Sequence, residues 1–424
     1  MKGYQFEDTQ GTFHLKKAEN ISYLYFPIAG EAGLKSSFTP NLGGDAKIDQ
    51  NTFLLEPVSA ENLVNNRNSR NFWCNVKGIG SWSLTGHSAE ELSKKFTEMQ
   101  DDSEVTAGFM WQKTTRESKK YQLRGEILSF IPVEKNVEVM LVTITNTGRM
   151  AQTVTPTAAI PLYGRSADNI RDHRHVTSLL HRIETTDTGV LVTPTLSFDE
   201  RGHQVNHMTY YCVGWSGNGE KPVDFYPTAE DFVGEGGNFE RPYAIVKKAE
   251  GVKAGTRIEG LEAVGGLHFS EVTLEPEEEC SYLIFTGITE DIQEIRNLSK
   301  TYTTREKVLE ELEKTKAYWQ EKVNVAYHTG DSDFNQFMHW VSFQPILRRI
   351  YGCSFLPHHD YGKGGRGWRD LWQDCLALLI MNPDGVRQML LDNFAGVRID
   401  GSNATIIGSK QGEFVADRNN ITRV

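Results

Sequence analysis

No stretch of this 424-residue sequence reaches the roughly 18 consecutive apolar residues that a membrane-spanning helix needs. The opening MKGYQFEDTQGTFHLKK has no apolar run behind its early lysine, so a secretory leader is not expected either. Cysteine is scarce. The five present, Cys74, Cys212, Cys280, Cys353 and Cys375, are odd in number, widely spaced and free of any C-x-x-C pair. They are expected to be reduced, buried thiols, which together with the missing leader places the chain in the cytoplasm. Basic charge is also lacking, since 45 Lys and Arg face 56 Asp and Glu for a net charge of −11. Nucleic-acid binding needs a basic face, so that partner is excluded and a neutral or weakly charged ligand fits better. The glycine-rich YGKGGRG lacks G-x-x-x-x-G-K-[ST] and follows no strand, so it is not a phosphate loop.

The length implies at least two folding units. Up to about Thr289 short alternating segments recur, among them ISYLYFPIAG, YQLRGEILSFIPV, VEVMLVTITNTG, GVLVTPTLSFDERG and CSYLIFTGITE. Period-two alternation between turn residues predicts antiparallel strands with one buried face, and so many of them predict a large β-sandwich. Two long polar insertions, Gly164 to Arg182 and Gly217 to Pro242, are the first candidates for reaching another domain.

Near Tyr302 the period changes. Thr303 and Glu306 have capping-box spacing, and Val308, Leu312, Trp319 and Val323 then recur at helical intervals, predicting one long amphipathic helix between two domains. In DSDFNQFMHWVSFQPILRRI a second helix would place Phe334, Phe337, Met338 and Val341 on one face, with Pro345 kinking or ending it. GWRDLWQDCLALLIM, apolar nearly all round, and DGVRQMLLDNFAGV follow as further helices. The expected organisation is a sandwich over 1–300, a helical linker over 301–330, and an incomplete all-α domain over 331–424 with only helices and loops. An incomplete helical ring would expose large apolar faces.

Asp370 and Asp374, four apart, share a helical face, with Arg369 and Gln373 forming the adjacent row. Carboxylates among Trp368, Leu371, Trp372, Cys375 and Leu376 need partners. One partner set is internal, Arg369 with a carboxylate in a helix-end ion-pair network. The other is a ligand rich in hydroxyls, and spacing alone leaves both open. His173 and His175 beside Asp172 form H-x-H, which supplies at most two of the three or four ligands a metal requires. With Arg165, Asp168, Arg171 and Arg174 this segment is expected to be an ion-paired insertion packed against the mouth of the helical domain, holding no metal. His358, His359 and Asp360 support a metal no better.

GWRDLWQD resembles the R-D-x-x-Q-D segment of the inverting glycoside phosphorylases, the family of cellobiose and chitobiose phosphorylase. ITNTG followed by TPTAAIPLYG, VTLEPEEECSYLIFTGI, the helix ending YWQEKV, and DFNQFMHWVSFQ are similar to that family in the same order. YLYFPIAGEAGLKSS, NSRNFWCNVKGIGSWSLTG and GRSADNIRDHRHVTSLLHR are most similar to 1,2-β-oligoglucan phosphorylases. The resemblance covers essentially the whole chain.

It implies a multidomain β plus α fold, namely a large antiparallel β-sandwich, a helical linker and the beginning of a six-fold α/α barrel. It implies further that Arg369 and Asp374, then Asp370 beside Gln373, hold the nonreducing-end sugar. VADRNNITRV resembles the family's following polar loop, which adds Arg418 and Asn419 as neighbours of that sugar. The general acid and the phosphate ligands are expected beyond Val424, leaving no catalytic residue in this chain and no activity for it alone. Inorganic phosphate would be co-substrate to a β-linked, expectedly β-1,2, gluco-oligosaccharide, giving α-glucose 1-phosphate without a cofactor. An anionic nucleophile makes the general base of an inverting hydrolase unnecessary. No nucleic acid or membrane is expected as partner, and a homodimer is compatible. The alternatives are a β-1,2-glucan transglycosylase of the same fold and a non-catalytic carbohydrate-binding or assembly protein.

Overall fold

The computed structural model describes residues 3–21, 24–58, 69–199, 202–351, 366–381 and 383–404, and the backbone of 406–407 and 414–415. An eleven-stranded antiparallel sheet faces a six-stranded one, with a separate four-stranded sheet over Phe26–Ala29, Lys35–Phe38, Gly44–Asp49 and Thr52–Leu55. Between the strands lie helices α1 (Ala89–Ser93), α2 (Arg174–Thr177), α3 (Ala229–Val233) and α4 (Tyr243–Lys247). Then come α5 (Ile292–Thr301), α6 (Arg305–Lys322), α7 (Ser332–Tyr351), α8 (Trp368–Met381) and α9 (Val386–Phe394). The expected large antiparallel sandwich followed by helices is the architecture observed.

The central strand Val137–Asn146 shows why the layers stack. It pairs with Leu123–Phe130 on one side and Glu279–Thr289 on the other. Its alternate residues Met140, Val142 and Ile144 join the core between the two sheets, against Phe72, Cys74 and Ile160. The intervening Val137, Val139 and Leu141 face outward and are covered by Ile295, Leu298, Val308 and Leu312 of α5 and α6. Both faces of the strand are thus buried, and the run VEVMLVTITN is correspondingly almost continuous in apolar and β-branched residues. Across the sandwich, α3 and α4 cover the outer face of the six-stranded sheet around Trp73, Ala159 and Val264.

The linker helix is capped one residue later than the Thr303–Glu306 spacing suggests. Thr304 adopts the extended N-cap backbone, and its side chain hydrogen-bonds Glu306, which lowers the Glu306 pKa. Trp215 Nε1 donates to Tyr302 O at 3.0 Å, pinning the junction of α5 and α6 to the sheet.

Of the two outcomes open at Pro345, a kink or an end, the helix does not end there, for α7 runs on to Tyr351. The carbonyl that its missing N–H leaves without a partner in the helix belongs to Val341, an exposed residue. The face of Phe334, Phe337 and Val341 is not buried. α7 instead turns Gln336, Phe343, Ile346 and Leu347 inward, because it docks on the sandwich through Trp340 Nε1 to Gly11 O (2.7 Å) and Tyr351 Oη to Ser36 O (2.6 Å). Leu376, Leu379 and Ile380 of α8 and Leu391 and Phe394 of α9 are exposed as well, so the helical region does present wide apolar faces. A further difference from helices and loops alone is a small three-stranded sheet of Arg366–Gly367, Ile406–Ile407 and Phe414–Val415. Two-residue strands carry no readable period.

Candidate functional site

α7 and α8 pack side by side, bringing the end of one to the start of the other. Arg348, in the last turn of α7, donates from Nε to Asp374 Oδ2 at 2.8 Å, and its Nη2 lies 3.5 Å from Asp370 Oδ2. One guanidinium therefore spans the carboxylates that the four-residue spacing places on one helical face. Asp374 is buried at 9% exposure and Asp370 is half-buried. Gly367 precedes α8 because a Cβ there would sit 2.4 Å from Asp370 Oδ2.

On the opposite side of α8 an aromatic cluster packs against α9. Trp368 and Trp372 meet edge to face at 5.5 Å, Trp372 meets Phe394 of α9 at 4.8 Å, and Trp368 Nε1 donates to Asn393 O at 3.0 Å. Asn393 is almost fully buried, and neither of its amide side-chain atoms has a partner among the described residues; the same holds for Trp372 Nε1.

The structure brings Asp370 and Asp374 together as the spacing required, but their internal partner is Arg348 and not Arg369. Arg369 and Gln373 lie on the exposed row of α8. Arg348 was missed because a helix–helix contact leaves no local pattern; the only signal was the Arg348–Arg349 doublet closing a helix otherwise short of cations. Arg418, Asn419, His358, His359 and Asp360 lie outside the described residues.

The Gly164–Arg182 insertion packs on its own sandwich, where the sequence suggested the mouth of the helical domain. Arg165 bonds Glu262 at 2.7 Å, and Arg174 bonds Glu56 and stands 3.7 Å from Glu262. Its charges are drawn to acids on the sheet rim, a pairing that sequence separation hides. The His173 and His175 rings lie 5.6 Å apart, tilted by 40°, and among the described residues no three metal-ligating side chains converge.

His181 closes this insertion in a fully buried position. Its Nδ1 lies 3.2 Å from Leu261 O, and as a carbonyl only accepts, Nδ1 carries the proton. Burial first, then the nearby Arg165, lowers its pKa to about 3. A histidine that is neutral when folded and ordinary when unfolded contributes stability above about pH 6.5 that is lost as pH falls toward 3. Thermal melts between pH 7 and 4 should show this decline, and His181→Gln should flatten it. Equal slopes for the two proteins would remove His181 as the cause.

A family model described as glycosyl hydrolase 94, supersandwich domain, matches residues 55–305. Cyclic beta-(1,2)-glucan synthase NdvB of Rhizobium meliloti (strain 1021) is 25% identical over 194 residues, 45% of this chain and 6% of that protein. Among solved structures, a bacterial glucoamylase complexed with acarbose superposes with a TM-score of 0.49 at 10% identity, over 97% of this chain and 53% of that one. A family GH92 α-mannosidase from Bacteroides thetaiotaomicron does so with a TM-score of 0.38 at 11% identity, over 80% of this chain and 38% of that one. The chain thus spans a small part of the glucan synthase and about half of the glucoamylase. No helix among the described residues is long and apolar enough to cross a membrane. With more than half of its length matched by the supersandwich model, the chain belongs to the carbohydrate-active glycosyl hydrolase 94 family.

Proposed function

We propose that the enzyme carrying this chain is an inverting phosphorylase that cleaves β-linked, β-1,2, gluco-oligosaccharides with inorganic phosphate and releases α-glucose 1-phosphate. The observation that carries this reading is the Arg348 clamp on Asp370 and Asp374, with Arg369 and Gln373 exposed on the adjacent row of α8. Carboxylates fixed as acceptors, with Arg369 and Gln373 open to donate, make a holder for sugar hydroxyls. The exposed apolar faces of α7, α8 and α9 fit the opening helices of an α/α barrel whose further members cover them. No cofactor enters the reading. The free thiols of Cys74, Cys212, Cys280 and Cys375 suit a reducing compartment such as the cytoplasm.

A second reading, glucan transfer without phosphate, is favoured by the likeness to a cyclic β-(1,2)-glucan synthase. Incubation of the enzyme with β-1,2-linked gluco-oligosaccharides separates the two. α-Glucose 1-phosphate should accumulate at a rate that rises with phosphate, whereas elongation or ring closure with no phosphate uptake would replace phosphorolysis by transfer. The 424-residue chain by itself should release none, because both carboxylates at the clamp are engaged by Arg348 and the proton donor is assigned to a residue outside it. Release by this chain alone at an enzyme-like rate would overturn that assignment.

A further inference from the structure

The outer face of the six-stranded sheet holds a cleft of about 600 Å³, within the size range of small-molecule sites. Its floor is the hairpin of Asn71–Val76 and Gly80–Ser83, one side is the segment from Glu240 to Lys248, and the start of α1 closes one end. The linker helices α5 and α6 cover the opposite sheet, so the cleft lies on the far side of the sandwich from them. It is also held in shape. Asn75 Nδ2 donates to Ser81 Oγ at 3.0 Å and approaches Ile245 O at 3.4 Å, tying floor to side.

The chemistry of the lining narrows the ligand. Ile79 and Val246 are about half exposed and offer apolar patches, while Asn75, Ser81, Glu240 and Arg241 offer donors and acceptors. Two acids and two bases line it, Glu90 and Glu240 with Arg241 and Lys248, so the lining has no formal net charge. A phosphorylated or polyanionic ligand would call for a cationic surplus. Trp73 forms a wall shared with a neighbouring cavity of about 210 Å³, and its buried indole N–H has no partner among the described residues.

We infer that this cleft is a second carbohydrate site, taking a neutral gluco-oligosaccharide with its ring faces on Ile79 and Val246 and its hydroxyls among Asn75, Ser81, Glu240 and Arg241. That the sugar is a glucan rests on the reading proposed above; that it is a neutral oligosaccharide rests on the cleft. Such a site holds glucan on the enzyme independently of Asp370 and Asp374.

Calorimetric titration of the 424-residue chain with β-1,2-linked glucotriose, cellotriose and maltotriose tests it. At least one should bind. Ala89→Trp, an exposed position at the end of the cleft, should weaken that binding at least tenfold, and the exposed Arg241→Ala about fivefold, as for one lost hydrogen bond. Arg257→Ala, an exposed position on the eleven-stranded sheet, should leave it unchanged. Arg241→Ala decides the matter should Ala89→Trp disturb folding. No binding of any of the three sugars at millimolar concentration would overturn the site. So would binding that Asp374→Asn abolishes and the cleft variants do not, which would put the sugar on α8 and leave the proposed function standing.

Discussion

Arg70→Met is expected to destabilise the sandwich by about 3–5 kcal/mol, the cost of breaking one partner out of a buried ion pair. Arg70 and Glu138 are both fully buried. Arg70 Nε donates to Glu138 Oε1 and its Nη2 to Oε2 at 3.0 Å, a two-pronged contact, while Ser36 Oγ also bonds the carboxylate. The same guanidinium donates to Gly44 O at 3.0 Å and Asp45 O at 3.2 Å and lies 4.9 Å above the Phe38 ring. It therefore joins the four-stranded sheet to the central strand Val137–Asn146. Without it, Glu138 keeps Ser36 as its side-chain partner among the described residues, in a setting where water does not reach. Urea unfolding of Arg70→Met, Glu138→Leu and the double variant gives the test. The double variant should lose less than the sum of the singles, with a coupling of about 1–3 kcal/mol. Additivity within about 0.5 kcal/mol would mean that the pair does not act as a unit.

That pair was invisible in the sequence, and the reason applies to most of what was missed. Period-two alternation is a local property, so the strands around VEVMLVTITN and CSYLIFTGITE were legible, as was the switch to helix near Tyr302. Arg70 and Glu138 are 68 residues apart, and Arg348 and Asp374 are 26 apart on different helices. Nothing local links such residues. The burial of α7 follows the same rule: periodicity shows that a helix has an apolar stripe, but docking on Gly11 and Ser36 decides which side is buried. At the site, the four-residue spacing of Asp370 and Asp374 fixed their common face because both lie on one helix. It could not supply their partner, and the adjacent Arg369 was assigned a role that a residue one helix away fulfils.

This reassignment changes what the helix variants should do. Arg369 is exposed and forms no ion pair among the described residues, so Arg369→Ala should leave stability within about 0.5 kcal/mol of wild type. If it donates to a sugar hydroxyl in the competent enzyme, its loss should cost about 1–3 kcal/mol of transition-state binding, or roughly one to two decades in kcat/KM. Asp374→Asn differs because the carboxylate is buried and accepts from Arg348 at 2.8 Å. The amide keeps an acceptor but loses the charge that pairs with Arg348, whose approach to Asp370 is longer, at 3.5 Å. Both a lower melting temperature and a fall in turnover are therefore expected for Asp374→Asn, against a fall in turnover alone for Arg369→Ala. Melts and steady-state kinetics with a β-1,2-linked oligosaccharide, run on the same preparations, separate the roles. Unaltered kcat/KM in Arg369→Ala would remove that residue from the sugar site. A Asp374→Asn protein that melts early but turns over normally while folded would make the clamp a packing device between α7 and α8, and would move the sugar elsewhere.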